Sequence, residues 1–177
     1  MQRSDHPDLS GHVACVTGAS SGLGRRAALV LSQAGARVVA IARRADALET
    51  LQSEAPGDLV AMPCDLSDRA GLADLAARAA VPFGAPDIVV NAAGINTREA
   101  ADDVTPEGWD ITLTLNLAVP FFLSRHLVPG MRANGVGADR QFRLPAIVPR
   151  LSRRAWLRGL ERRDRTADPR HGRSLVA

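Results

Sequence analysis

The run Thr17-Gly18-Ala19-Ser20-Ser21-Gly22-Leu23-Gly24 limits what this chain can fold into more than any other feature. A short apolar stretch, residues 12–17, leads into it, and residues 23–33 leave it with helical spacing and stop at Gly35. A strand that turns through glycines directly into a helix has specific needs. Gly18 permits the tight turn, Gly22 lets backbone approach a ligand, and Gly24 lets the helix pack closely on the strand. The helix N-terminus at Ser20, Ser21 and Leu23 then offers free N–H groups and partial positive charge to an anion such as a pyrophosphate. The competing reading is a glycine-rich turn that holds nothing.

The residues that follow repeat one grammar. Residues 37–42 form a β-branched strand, 45–53 a helix, 59–63 a strand, 68–80 a helix and 87–91 a strand. Thr105 before Pro106 reads as an N-cap with proline at the first helical position. The helix it opens runs to about Met131, with a kink expected at Pro120. Short buried strands alternating with helices predict an α/β fold, a doubly wound parallel sheet in the order 3-2-1-4. After Gly137 this grammar stops. Arg150, Arg153, Arg154, Arg158, Arg162 and Arg163 interrupt every apolar face, so the chain divides into a domain, 1–137, and an arginine-rich tail, 138–177.

Charge follows the same boundary. Residues 1–137 carry 11 arginines against 15 acids, net −4, whereas residues 138–177 carry 11 against 4, net +7. The sequence pI near 10.0 therefore belongs to the tail. A nucleic-acid-binding arm is one reading of it, but only Phe142 and Trp156 offer rings there for base stacking. No apolar run approaches 18 residues, so no membrane span is expected. The polar N-terminus carries no secretory pattern. Cys15 and Cys64, inside apolar stretches, read as buried thiols in a reducing cytoplasm.

Further motifs stand in a fixed order. Asn91-Ala92-Ala93-Gly94 closes the fourth strand, Asp65-Leu66 follows the third, and Asn116 lies in the long helix after Trp109. Together with the glycine turn these resemble the short-chain dehydrogenase/reductase family over roughly residues 8–134. The resemblance implies a Rossmann fold and an oxidoreductase acting on a small-molecule carbonyl or alcohol. The family's homo-oligomers use the long helix together with a further helix that is not read in this chain. It assigns Asp65 and Leu66 to the adenine, Asn91, Ala92, Ala93 and Gly94 to the cofactor-facing strand end, and Asn116 to the catalytic tetrad. Taken singly, Asn91 also reads as a strand-end hydrogen bonder, Asp65 as a turn residue, and Asn116 as a bond to its own helix. Where NAD-preferring relatives carry an acid after the second strand, this chain reads Ala42-Arg43-Arg44. An acid would repel a 2′-phosphate, while arginines bind one through charge-assisted hydrogen bonds, so the cofactor expected is NADP. The alternative is that Arg43 and Arg44 are ordinary solvated charges.

The family's serine, tyrosine and lysine complete its site, the last two as Tyr-x-x-x-Lys with the serine thirteen residues earlier. This chain has no tyrosine, and all 22 of its Lys+Arg residues are arginines. Reverse-translated with full codon degeneracy and read one nucleotide later, residues 138–145 permit Arg-Ile-Val-Asn-Phe-Ala-Ser. Residues 156–162 likewise permit Gly-Tyr-Gly-Ala-Ser-Lys, with the tyrosine thirteen codons after the serine. The residues after about Gly135 thus read as an out-of-frame dehydrogenase sequence, and the chain as catalytically inactive. A nucleotide-binding module without chemistry is the alternative. A sheet that ends at its fourth strand exposes that strand's edge, so a marginally stable, aggregation-prone chain is expected. Sugar alcohols, polyols, 3-oxoacyl thioesters and steroids all remain open as substrates.

Overall fold

The computed structural model describes residues 8–133 and the backbone of residues 141–143. Within them the chain runs β1 (Val13–Thr17), α1 (Gly22–Gln33), β2 (Arg37–Ala42), α2 (Ala45–Glu54), β3 (Leu59–Pro63), α3 (Leu72–Ala79) and β4 (Ile88–Asn91). A 3-10 turn (Ala101–Asp103), α4 (Pro106–Leu113), a π-helical turn (Thr114–Ala118), α5 (Val119–Ala133) and β5 (Gln141–Arg143) follow. The strands are parallel, in the order β3-β2-β1-β4-β5.

Alternation along the buried strands divides the core into two layers. Cys15, Val39, Ile41 and Val89 face one side, where Leu72 and Leu75 of α3 and Leu123, Leu127 and Met131 of α5 cover them. Ala14, Val16, Val38, Ala40 and Val90 face the other, against Ala28 of α1 and Leu48 and Leu51 of α2. Each large aliphatic side chain fully withdrawn from water contributes about 1.5–3 kcal/mol. Burial also pushes the Cys15 thiol up to about 12, so it stays protonated and inert.

Three elements differ from the sequence reading. α3 begins at Leu72 rather than 68, because Asp68 Oδ1 accepts from the Ala70 N–H (3.0 Å) and closes a turn ahead of it. The helix from Pro106 to Ala133 is continuous, and its irregularity falls one turn before Pro120. Proline cannot donate to the carbonyl of Asn116, and the wider π turn absorbs that lost bond. Over its 28 residues this run holds an 18-residue window of mean hydropathy 1.3. That corrects the expectation that no such run exists: by length and composition alone it qualifies as a span. In the fold its apolar side instead packs on the sheet through Leu123, Leu127 and Met131.

The third difference is β5. The sequence reading ended the sheet at the fourth strand, yet Val89, Val90 and Asn91 pair in parallel with Gln141, Phe142 and Arg143. The edge of β4 is therefore occupied along those three residues. Three residues are too few to show a period of two, which is why the strand was not read. The expectation of a poorly packed tail otherwise lies outside the described residues.

Thr105 caps α4 as expected, its Oγ1 accepting from the Gly108 N–H at 3.0 Å, with Pro106 at N1. Thr105→Ala should lower unfolding free energy by about 0.5–2 kcal/mol in urea denaturation. An unchanged midpoint would show that this cap contributes nothing.

Candidate functional site

The carboxyl ends of β1, β2, β3 and β4 open onto one cleft of about 550 Å³. It is lined by Gly18, Ser20, Ser21, Arg43, Arg44, Asp65, Leu66, Ala92, Ala93 and Gly94, all named from sequence. Ala42, Cys64, Ile95 and Leu115 also line it and were not named as site residues. They are apolar or thiol wall residues adjoining the motifs, and their position in the chain was the only available signal.

The turn is shaped by its glycines. Gly18 has φ +67°, and a Cβ there would lie 2.7 Å from the backbone of Ala92 and Ala93. Gly24 presses on the same turn, where a Cβ would lie 2.7 Å from the Gly18 carbonyl carbon. Gly22 is different: φ is +56° and none of the described residues stands within 4 Å of where its Cβ would be. Backbone is therefore presented to open space at the start of α1. Ser21 makes no side-chain cap bond to that helix and no acid occupies its first turn. The leading N–H groups are left available to an anion, and the glycine cradle fits a dinucleotide pyrophosphate. Leu23, 69% exposed, stands outside the cleft lining, as do Gly22 and Gly24.

Both arginines lie at the cleft. Arg44 donates to the Ser20 carbonyl (3.4 Å) and Oγ (3.3 Å), drawing the second strand's end toward the turn. Arg43 stands in the field of Asp65. The Asp65 carboxyl lies below the usual carboxylate range, first because the Ser67 N–H and hydroxyl bond to it and then because of Arg43. A depressed carboxyl contributes stability above its unfolded value, and that contribution is lost as pH falls through the folded one.

Beneath the cleft, Thr17 is a hub that the sequence reading did not single out as a site residue. Its Oγ1 accepts from the Ala92 (3.2 Å) and Ala93 (3.1 Å) N–H groups and donates to the Val90 carbonyl (3.4 Å). A threonine directly before the first motif glycine was the available signal. Asn91 is buried and its Nδ2 donates to Ser124 Oγ at 3.2 Å. Its Oδ1 has no partner among the described residues.

Asn116 lies in the π turn but does not bond its own helix through its side chain. Its Oδ1 accepts from the Ile95 N–H and its Nδ2 donates to the Ile95 carbonyl, both at 2.8 Å. A Cβ on Gly94 would lie 2.8 Å from that Oδ1, so the glycine makes room for the clasp. Asn116 thus positions the chain leaving β4.

Comparison with known proteins agrees with this geometry. The chain is similar to D-threitol dehydrogenase of Mycolicibacterium smegmatis, 36% identical over 73% of this chain and 51% of that protein. It is similar to gluconate 5-dehydrogenase of Gluconobacter oxydans, 32% identical over 94% of this chain and 70% of that one. Among solved structures, a metagenomic short-chain oxidoreductase in complex with NADP superposes with a TM-score of 0.69 at 36% identity, covering 73% of this chain and 61% of that chain. The chain spans about half the length of the threitol enzyme. Residues 12–138 match the short chain dehydrogenase family, and with the glycine turn, the Asn91–Gly94 strand end and the parallel sheet in place, the chain belongs to that family.

Proposed function

We propose that these 177 residues bind NADP(H) in preference to NAD(H) and do so without catalysing carbonyl reduction or alcohol oxidation. The observation that carries the reading is the pair Arg43 and Arg44 on the cleft wall beside Ser20, with no acid at the end of β2. In the family the dinucleotide supplies the hydride. This chain's own residues hold it: the glycine turn and α1 take the pyrophosphate, Asp65 and Leu66 border the adenine, and Ala92, Ala93 and Gly94 border the ribose beyond. The relatives' names, a threitol and a gluconate dehydrogenase, support a small polyhydroxylated alcohol or ketone as the ancestral substrate. The absence of tyrosine and lysine supports catalytic silence.

Titrations of NADPH and NADH, followed by the enhancement of cofactor fluorescence, test the reading. NADPH should bind more tightly, and Arg43→Ala should erase most of that preference while leaving NADH nearly unchanged. A charge-assisted bond to the 2′-phosphate corresponds to about ten- to a hundredfold in affinity. Equal affinities for the two cofactors in the parent chain would refute the assignment.

A further inference from the structure

Among the described residues β3 is the outer strand of the sheet, and β2 is its one neighbouring strand. In a parallel edge strand alternate residues turn their N–H and C=O groups outward, a ready template for another strand. The Asp58 carbonyl accepts from Val38 N–H (2.8 Å) and the Cys64 N–H donates to Ala42 (2.9 Å). The even-numbered residues therefore face β2, and Leu59, Ala61 and Pro63 face outward.

Two of the three outward donors are unavailable. The Ala61 N–H, at the centre, is taken by Gln52 Oε1 of α2 at 3.1 Å. Pro63 has no N–H to offer. The third donor belongs to Leu59, buried at 5% exposure where the chain enters from α2. Two copies meeting antiparallel about Ala61 would need the Ala61 N–H of each to donate to the Ala61 carbonyl of the other. They would also need one bond from each Pro63. The first pair of donors is engaged and the second does not exist.

We infer that Gln52 and Pro63 close the free edge of β3 against strand addition by a second copy of this chain. The closure needs both residues, because either donor alone restores part of the ladder. It costs the sheet nothing, since no bond between β2 and β3 is involved. Gln52 lies on the exposed side of α2 and Pro63 is exposed, and neither lies in the cleft lining.

Gln52→Met keeps the side-chain length and helix propensity but removes the acceptor, and Pro63→Ala supplies the missing donor. The double variant should self-associate in sedimentation velocity at concentrations lower by about tenfold for each hydrogen bond regained. Its thermal midpoint and NADPH affinity should match the parent's. Hydrogen exchange at the Ala61 amide should quicken in Gln52→Met alone and stay slow in Gln52→Glu, whose carboxylate still accepts. Pro63→Ala by itself, which leaves α2 untouched, should show a smaller shift in the same direction. Unchanged self-association with a deprotected Ala61 amide would overturn the inference. So would an Ala61 amide indifferent to Gln52, or association that rises only in step with lost thermal stability.

Discussion

Deleting one nucleotide near codons 135–136 should turn a chain without NADPH-dependent turnover into an active carbonyl reductase. Reduction of a carbonyl needs a positioned acid, and such groups typically contribute about 10²–10⁴-fold. The titratable residues lining the cleft are Arg43, Arg44, Cys64 and Asp65, all at the ends of β2 and β3. None stands by Gly94 and Asn116, and Asp65 is held as a carboxylate. The Asn116 amide is committed at both ends to Ile95. His126 is exposed on α5, ten residues and so about 15 Å along the helix from Asn116. No residue described in this chain replaces the tyrosine. NADPH oxidation by the parent should therefore not exceed background with any ketone, sugar or 3-oxoacyl substrate. The repaired frame should carry serine, tyrosine and lysine at family spacing. Measurable turnover by the 177-residue chain would sink this account, as would coding DNA whose shifted frame lacks the tyrosine and lysine codons.

The fold and its cleft were legible in the sequence for physical reasons. Buried parallel strands must be continuous apolar runs, so β2 and β3 were read to the residue at Arg37–Ala42 and Leu59–Pro63. Glycines at positive φ or in backbone contact cannot be exchanged freely, so the turn announced itself at Gly18 and Gly24. What escaped were features made by side chains meeting across long separations. The Thr17 bonds to Ala92 and Ala93 join residues 75 and 76 positions apart. The Asn116 clasp on Ile95 depends on a π turn that no residue pattern encodes. Arg44 bonds to Ser20 because β2 lies beside β1, a relation visible only once the sheet is assembled. The start of α3 was misplaced because Asp68 serves a turn and not the helix.

Gly18→Val should abolish dinucleotide binding and destabilise the domain, whereas Gly22→Ala should weaken binding in a chain that remains folded. At Gly18 two penalties coincide. A β-branched residue at φ +67° is strained by about 1–3 kcal/mol. Its Cβ also lies 2.7 Å from Ala92 and Ala93 backbone that Thr17 holds in place. Overpacking of that kind adds about 1–3 kcal/mol, a sum comparable with much of a small domain's stability. Any relief must part β1 from the end of β4, which spoils the cleft wall as well. At Gly22 the strain remains but no atom of the described residues is struck, so the added methyl projects into the open space before α1. Gly11 supplies the control: φ is +86°, no described residue stands within 4 Å of where its Cβ would be, and it precedes the end of β1 opposite the cleft. Gly11→Ala should cost the backbone strain alone and leave affinity untouched. Urea denaturation paired with NADPH titration of the three variants separates the terms. A Gly18→Val protein that binds NADPH like the parent would mean that the turn does not carry the phosphate.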